Sequence, residues 1–412
     1  MRTALSPTEI VHQQIEYGVT QIELVRDATA LSRVFINPMT LTIGVARVRV
    51  AGIGGVWTDE RYRMQGYARQ VMEGSVAHLL EAAAAGAHQA AMAEPASLSI
   101  LWGIPNFYEK FGYTPAAPDV LVSLTDLPHS DPVPQGWSVR SCETRDVAAI
   151  QSLYARASAR AVGAVVRPPD GRVWSKLAEI AHEPAQDECR VVVRPDGQVA
   201  GYAWRGRDFW PVNTEEESPK ALAIGETVAC DTAAADALLA ACRIWAKEEA
   251  VRRPAVESAE LYLPLNGAVY AAAARQNARV ELTWHRSGSY MIRSLSTRGL
   301  LAALVPELSR RLRATRVSAF GTLGLVTETG TVPLDLAPDG VALRRDGGGD
   351  RHGTVTQTLV VPQQMLAQLA FGTFPAGDLL ERLARPPDGI AREWVELLFP
   401  QRQPYTHVLD WI

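Results

Sequence analysis

The residues best suited to chemistry lie between Gly52 and Leu80. A short apolar stretch, residues 53–58, leads into Asp59-Glu60-Arg61-Tyr62 and then Arg63-Met64-Gln65-Gly66-Tyr67-Ala68-Arg69. Directly afterwards Val71, Val76, Leu79 and Leu80 recur at helical spacing. A strand, a basic turn with a glycine and a helix start together make an anion site. The first turn of a helix carries unpaired N–H groups and the positive end of the helix dipole. Gly66 and the small Ala68 allow a phosphate to approach those groups. The plainer alternative is an ordinary strand–loop–helix joint with exposed arginines at 63 and 69.

Two further stretches hold reactive groups. Phe107-Tyr108-Glu109-Lys110-Phe111-Gly112-Tyr113 places a phenol among aromatic residues, where packing is the competing role. The chain closes on Val408, Leu409, Asp410, Trp411 and Ile412, apolar where ends are usually frayed and polar, which points to a docked tail. A carboxylate drawn into a cleft gains basicity. A hydrophobic tail that only seals an interface is the alternative. The eight histidines are scattered, and the four cysteines (Cys142, Cys189, Cys230 and Cys242) show no metal spacing. No metal site is expected. Ser97 and Ser99 lack a nucleophile-elbow context.

These groups need elements to position them, and the chain is long enough for two or three domains at 412 residues. Residues 1–132 read as one unit. Strands are expected at 20–25, 31–36 and 40–50, with Ala51-Gly52 as a tight turn into 53–58. A helix from about Arg69 to Gly86 and a strand at 98–102 follow. A short helix between Asn106 as cap and Gly112 as stop comes next, then a strand at 119–124. The run Asp131-Pro132-Val133-Pro134-Gln135-Gly136 is a linker. Residues 133–292 repeat the plan, with a hairpin around Arg194-Pro195-Asp196-Gly197-Gln198 and a strand–helix pair at 223–250. That second copy lacks the basic glycine turn, since Thr227-Val228-Ala229-Cys230-Asp231-Thr232 runs straight into its helix. Residues 293–412 form a smaller α+β section.

Apolar residues at 47% and charged residues at 21% describe a globular chain, and the formal net charge of −4 argues against nucleic acid as partner. No apolar run is long enough to span a membrane. The N-terminus has no basic start followed by an apolar core, so a cytoplasmic enzyme is expected.

The motif Arg63-x-x-Gly66-x-Ala68 after a strand resembles the signature of GNAT N-acetyltransferases. With Phe107–Tyr113, the residues 368–374 (QLAFGTF) and the LFP…DWI ending, the whole chain is similar to the Eis (enhanced intracellular survival) acetyltransferases. The resemblance implies a mixed α/β, α+β chain: two tandem GNAT units and a domain like sterol carrier proteins. It implies acetyl-CoA as co-substrate, with Val56, Trp57 and Thr58 pairing with its pantetheine arm. Arg63, Met64, Gln65, Gly66, Tyr67, Ala68 and Arg69 would grip its pyrophosphate, and Gly103 and Ile104 fall where the next strand should splay away. It implies Tyr108 as general acid, the terminal carboxylate of Ile412 as base, and a homo-oligomer. The acceptor would be a primary amine, on a polycationic small molecule or a lysine side chain. The chain departs from the resemblance before Gly52, where the usual pair of helices walling the acceptor site is missing, so acceptor residues are not assigned. A rival reading is a non-catalytic protein that binds an apolar ligand in its third section.

Overall fold

In the computed structural model the described residues are 7–86, 95–125, 127, 132–206, 220–317, 319–344 and 355–411. Backbone contacts divide the chain into two units: Met1–Ala117 with His285–Arg402, and Pro118–Trp284 with Gln403–Trp411. This division differs from three consecutive spans of 1–132, 133–292 and 293–412.

The first unit begins with strands β1 (Glu9–Gln14), β2 (Thr20–Arg26), β3 (Thr29–Ile43) and β4 (Ala46–Thr58). After the helix Tyr67–Gly86 come β5 (Leu98–Gly103) and β6 (Thr114–Pro115). The turn between β3 and β4 lies at Gly44-Val45, closed by the Ile43–Ala46 pair. Gly44 has φ +61°, which suits the first position of a two-residue hairpin. Ala51 and Gly52 therefore do not turn; they lie mid-strand opposite Pro38 and Asn37. Small residues there mark close packing rather than a bend, because the strand is buried on both faces from Val50 to Gly54. Among the described residues no α-helix precedes β4.

The helix Tyr67–Gly86 buries Tyr67, Val71, Met72, Val76, Leu79 and Ala83 against Ile22, Leu24, Leu31, Val34, Ile36 and Ile53 of the sheet. Leu80, expected on that face, is only half-buried and packs at its edge. Full burial of a Val or Leu side chain is worth about 1.5–3 kcal/mol. This helix thus pins the loop before it to a rigid sheet.

The second unit holds β7 (Asp119–Leu124), β8 (Ser138–Ser141), β9 (Val162–Val165), β10 (Cys189–Val193), β11 (Val199–Arg205), β12 (Ala221–Ala229), β13 (Ser258–Leu261) and β14 (Arg279–Thr283). Its sheet runs β14-β7-β13-β12-β11-β10-β8. The helix Thr232–Arg252 covers this sheet and buries Leu238, Leu239, Cys242 and Trp245. The chain then returns to the first unit as β15 (Ser289–Ser294), and the seven strands of that unit run β1-β2-β3-β4-β5-β15-β6.

The two sheets share a plan, and each fills one slot with a strand from the other half of the sequence. Beside β5 (Leu98–Gly103) stands β15 (Ser289–Ser294), and beside β13 (Ser258–Leu261) stands β7 (Asp119–Leu124). Residues 119–124 were expected in the first unit and 288–292 in the second. Sequence order alone leads to that expectation, since consecutive strands are neighbours only about two-thirds of the time.

The remaining part of the first unit opens with the helix Thr297–Arg313. It continues through β16 (Gly321–Thr327), β17 (Gly330–Ala337), β18 (Gly340–Leu343) and β19 (Val355–Val360), in the order β18-β17-β16-β19. Helices Gln363–Phe371, Ala376–Leu380 and Gly389–Leu398 follow. Glu307, 1% exposed, fastens this part to the β3–β4 hairpin. Its carboxylate accepts from the Val45 N–H (3.1 Å), Arg310 (2.8 and 2.7 Å) and Arg311 (2.8 Å). Those donors hold its pKa down at about 2 against the desolvation that opposes them.

Candidate active site

The site in the first unit is set by one irregularity in β4. Arg33 pairs with Trp57 and Phe35 with Gly54, so Val34 faces two residues, Gly55 and Val56. The extra residue is a β-bulge, a device common beside active sites because it bends a strand away from its neighbour. Gly55 adopts φ +57°, and a Cβ there would meet the Phe35 ring at 2.5 Å, so only glycine fits.

The bend has a direct consequence. β4 and β5 pair in parallel from Val50–Leu98 to Ile53–Leu101 and then stop. On its other edge β4 stays paired with β3 as far as Thr58–Ser32. β5 likewise stays paired with β15 as far as Gly103–Ser289. A wedge therefore opens between residues 54–58 and 102–103, and the backbone of Val56, Trp57 and Thr58 on that edge has no strand partner among the described residues. Such groups take an extended ligand as they would another strand. Ser32 Oγ ties the far side of the same strand, donating to the Trp57 carbonyl (2.7 Å) and meeting Thr58 Oγ1 (2.9 Å).

At the end of β4 the chain enters a short turn, Glu60–Tyr62. Its Asp59 cap accepts from the Arg61 N–H (2.9 Å) and holds the Arg61 guanidinium at 3.0 and 2.8 Å. That pairing keeps the Asp59 carboxyl down at about 2. Met64 (φ +62°) and Gly66 (φ +83°) then curl the loop into the helix. The first helical bond runs from Gln70 N–H to the Gly66 carbonyl, at 3.1 Å. The N–H groups of Tyr67, Ala68 and Arg69 thus have no acceptor within the helix. Nothing stands within 4 Å of where a Gly66 Cβ would be, so the approach is open. The Tyr67 side chain is buried and its hydroxyl accepts from Arg26 Nη2 (2.6 Å), which leaves only its backbone for a ligand. Arg63 pairs with Glu60 (3.4 Å) and Arg69 with Glu73 (2.7 Å), both at the surface.

Tyr108 stands at the other wall of the wedge. It begins a 3-10 turn, Tyr108–Phe111, that Gly112 ends in the left-handed region (φ +79°). The cap residue is Phe107; Asn106, expected there, instead has φ +62° and donates its N–H to Ser287 Oγ. The Tyr108 ring lies on Gly103, the last residue of β5, where a Cβ would come within 2.3 Å of Cδ2. Ile104 beyond it is exposed. Tyr108 is 6% exposed, and burial raises its pKa above the ordinary phenol value, so it keeps its proton across neutral and mildly alkaline pH. Tyr113 beneath it, bonded to Ser99 Oγ (2.7 Å), is pushed up to about 12 by burial.

Three contributors were not singled out from sequence. Gly55 is one glycine among several in Gly52–Gly55, and nothing local sets it apart. Ser287 and Gly288 come from β15's approach: a Gly288 Cβ would meet the Gly103 carbonyl at 2.8 Å. The Ser-Gly-Ser run before a strand was a turn signal, but nothing in the sequence tied it to residues 103–106.

The second unit shows the same groove put to another use. β12 and β13 pair from Ala221–Ser258 to Ile224–Leu261 while β12 continues to Ala229. The helix that follows has no glycine turn. Asp231 caps it, accepting from the Ala234 N–H at 2.9 Å, so a carboxylate already fills the place of an anion. The C-terminal tail lies here as well. Tyr405 N–H donates to the Val162 carbonyl (2.9 Å), Thr406 Oγ1 to the Gly163 carbonyl (2.6 Å), and Val408 packs on Gly225. Asp410 meets Arg167 at 2.8 Å, and Arg167 also meets Glu226 at 3.0 Å, all three side chains being almost fully buried. Trp411 is the last described residue; the candidate base at Ile412 lies outside the described residues.

Residues 21–116 match the family model described as an acetyltransferase (GNAT) domain. No curated protein matches the chain in sequence. Among solved structures, a GCN5-related N-acetyltransferase from Kribbella flavida aligns over 95% of this chain and 87% of its own, at 21% identity and TM-score 0.63. One from Anabaena variabilis aligns over 94% and 88%, at 17% identity and TM-score 0.61. Eis1 from Mycobacterium abscessus aligns over 94% and 89%, at 16% identity and TM-score 0.54. At these identities the likeness speaks for the fold, while the domain match falls on the part of the chain that holds the bulge, the wedge and the open helix start. Residues 21–116 of this chain thus match a GNAT acetyltransferase domain, and the chain as a whole shares the fold of these GCN5-related N-acetyltransferases.

Proposed function

We propose that the protein is an Eis-like, acetyl-CoA-dependent N-acetyltransferase acting on primary amines. The acceptor is a polycationic small molecule or a lysine side chain. The observation that carries this is the wedge from Gly54 and Trp102 leading to the open helix start at Tyr67, a combination the second unit does not repeat.

In this reading the unpaired strand edge at Val56, Trp57 and Thr58 takes the pantetheine amides. The N–H groups of Gly66, Tyr67, Ala68 and Arg69 take the pyrophosphate, with charge added by Arg63 and Arg69. Met64 and Gln65 shape the loop, and Gly103 and Ile104 form the opposite wall. When bound, acetyl-CoA supplies an acetyl group on a good leaving thiolate. A backbone N–H at 56–58 stabilises negative charge on the acetyl oxygen. The amine attacks directly, without an acyl-enzyme. Tyr108, protonated throughout, donates to the departing sulfur. The carboxylate of Ile412 takes the proton from the amine. The buried anchoring of residues 405–410 supports a fixed tail. In this reading the enzyme works in the cytosol as a homo-oligomer, and residues 293–412 are of sterol-carrier type.

Thiol release from acetyl-CoA across a panel of amines tests the assignment. Amine-dependent release that falls sharply in Tyr108→Phe, with CoA affinity kept, is expected. No release with any amine, and no CoA binding, would leave the rival ligand-binding reading standing.

A further inference from the structure

In the second unit a cavity of about 240 Å³ lies where β12 and β13 part. An apolar cavity of about 150 Å³ already holds benzene, so this one has room for a somewhat larger molecule. One wall is Thr227, Val228, Ala229 and Cys230, the end of β12 and the residue after it. The facing wall is Leu263, Pro264 and the start of the helix Ala268–Arg275. The end of the helix Val147–Ser158 and the tail residues Tyr405 and His407 close the space. All of these belong to the second unit.

Three buried polar atoms on these walls have no hydrogen-bond partner among the described residues: Thr227 Oγ1, Tyr405 Oη and His407 Nδ1. Thr227 is 4% exposed and His407 5%. His407 Nδ1 stands 3.5 Å from the Glu226 carboxylate, beyond ordinary hydrogen-bond length. Native interiors leave few such atoms, and a polar ligand in the shared cavity would satisfy these together. Main-chain groups open on the same space. Beyond Ile224 the β13 side of β12 has no strand partner among the described residues, so residues 226–229 offer N–H and C=O groups at strand spacing. The helix at Ala268 has no side-chain cap, and its first bond runs from the Ala271 N–H to the Gly267 carbonyl (3.0 Å). The N–H groups of Ala268, Val269 and Tyr270 therefore have no acceptor within the helix.

The surrounding charge disfavours ions. Burial raises the Tyr405 pKa well above the ordinary phenol value and lowers that of His407, so the phenol keeps its proton and the imidazole is neutral at neutral pH. Behind His407, Arg167 faces two carboxylates, Glu226 and Asp410, and this excess of negative charge repels an anion. The helix start turns the positive end of its dipole against a cation. Burying an unpaired ion is costly, whereas a neutral polar group is accommodated once it is hydrogen-bonded.

We propose that this cavity binds a small neutral secondary amide with a compact apolar body. The amide carbonyl takes the donors, which are the Tyr405 hydroxyl and the helix-start N–H groups. The amide N–H takes the acceptors, which are Thr227 Oγ1 and the open carbonyls of β12. Such a group pairs with a strand edge as a peptide unit does. Ala157, Ala161, Val162, Leu263 and Val269 enclose the apolar remainder. CoA is not the ligand, because Asp231 already fills the helix start that its pyrophosphate would need.

Calorimetric titration of the full chain with N-methylbenzamide tests this. Its companions are phenylacetate as anion, N-methylbenzylamine as cation and toluene without a polar group. The wild-type chain binds one equivalent of the amide, with or without saturating CoA, and binds each companion at least tenfold more weakly. Thr227→Val and Tyr405→Phe each weaken the amide about tenfold, the worth of one hydrogen bond. Without ligand neither variant melts lower than wild type, because each removes an unpartnered hydroxyl. Absence of amide binding overturns the proposal. So does a companion bound as tightly as the amide, amide affinity unchanged in either variant, or a lower melting temperature in both.

Discussion

Replacing Gly103 with alanine would strike at the proposed acid without touching it. The added methyl would come within 2.3 and 2.4 Å of Cδ2 and Cε2 of the Tyr108 ring and within 2.8 Å of Leu101 Cδ1. Ordinary carbon contact is about 3.5–4.0 Å, so the ring must retreat by roughly 1 Å. Phe107 and Tyr113 stand against it at ring-centroid distances of 5.0 and 6.4 Å, and Tyr108 is nearly fully buried, so it cannot swing clear. Overpacking of this kind costs about 1–3 kcal/mol of stability. A misplacement of about 1 Å of a reacting group costs about 100-fold in rate. Gly103→Ala should therefore stay folded, bind CoA nearly as wild type and lose between about 10- and 100-fold in kcat. The assay is thiol release under saturating acetyl-CoA, with CoA affinity measured separately. The discriminating variant is the double substitution with Tyr108→Phe. If both act through the same hydroxyl, the pair is no slower than Tyr108→Phe alone. A wild-type kcat in Gly103→Ala, or losses that multiply in the double variant, would refute the reasoning.

Other expectations follow from the same contacts. Asp410→Ala strands Arg167 with one carboxylate partner instead of two; broken buried pairs cost about 3–5 kcal/mol, so calorimetry should show the melting temperature fall by on the order of 10 °C. For Glu307, the folded pKa of about 2 lies below its ordinary 4.5, so its stabilisation is present above pH 4.5 and is lost as pH falls through 2. The difference in unfolding free energy between wild type and Glu307→Gln, about 3 kcal/mol at pH 7, should shrink steadily below pH 4.5 in denaturant titrations. Residues appended after Ile412 should cut turnover while leaving CoA affinity alone; an extended enzyme of full activity would remove the terminal carboxylate as base.

Much of this was legible in the residues, and what was not has physical causes. The strand–turn–helix from β4 to Tyr67 announces itself because its glycine, its charges and its apolar period lie within thirty residues. The lack of a glycine turn before the second unit's helix was equally local, while the Asp231 cap that takes its place is visible only in the structure. The hairpin tip was misplaced because Ala51-Gly52 and Gly44-Val45 carry similar turn signals, and tertiary pairing chose between them. The bulge at Gly55 shows itself only through its partner Phe35, twenty residues earlier. The exchange of β7 and β15 leaves no local trace at all, since each strand alternates as well in one sheet as in the other. The strand Glu9–Gln14 and the helices Arg172–His182 and Gly389–Leu398 went unread for a related reason. The helices are short, and the strand is exposed along its whole length, so it has no buried face to announce.

Hydrogen–deuterium exchange with and without saturating CoA reads both grooves in one experiment. Slowed exchange in peptides covering residues 54–69, with residues 225–234 unchanged, is what a single cofactor cradle in the first unit predicts. Protection at 225–234 with none at 54–69 would contradict it.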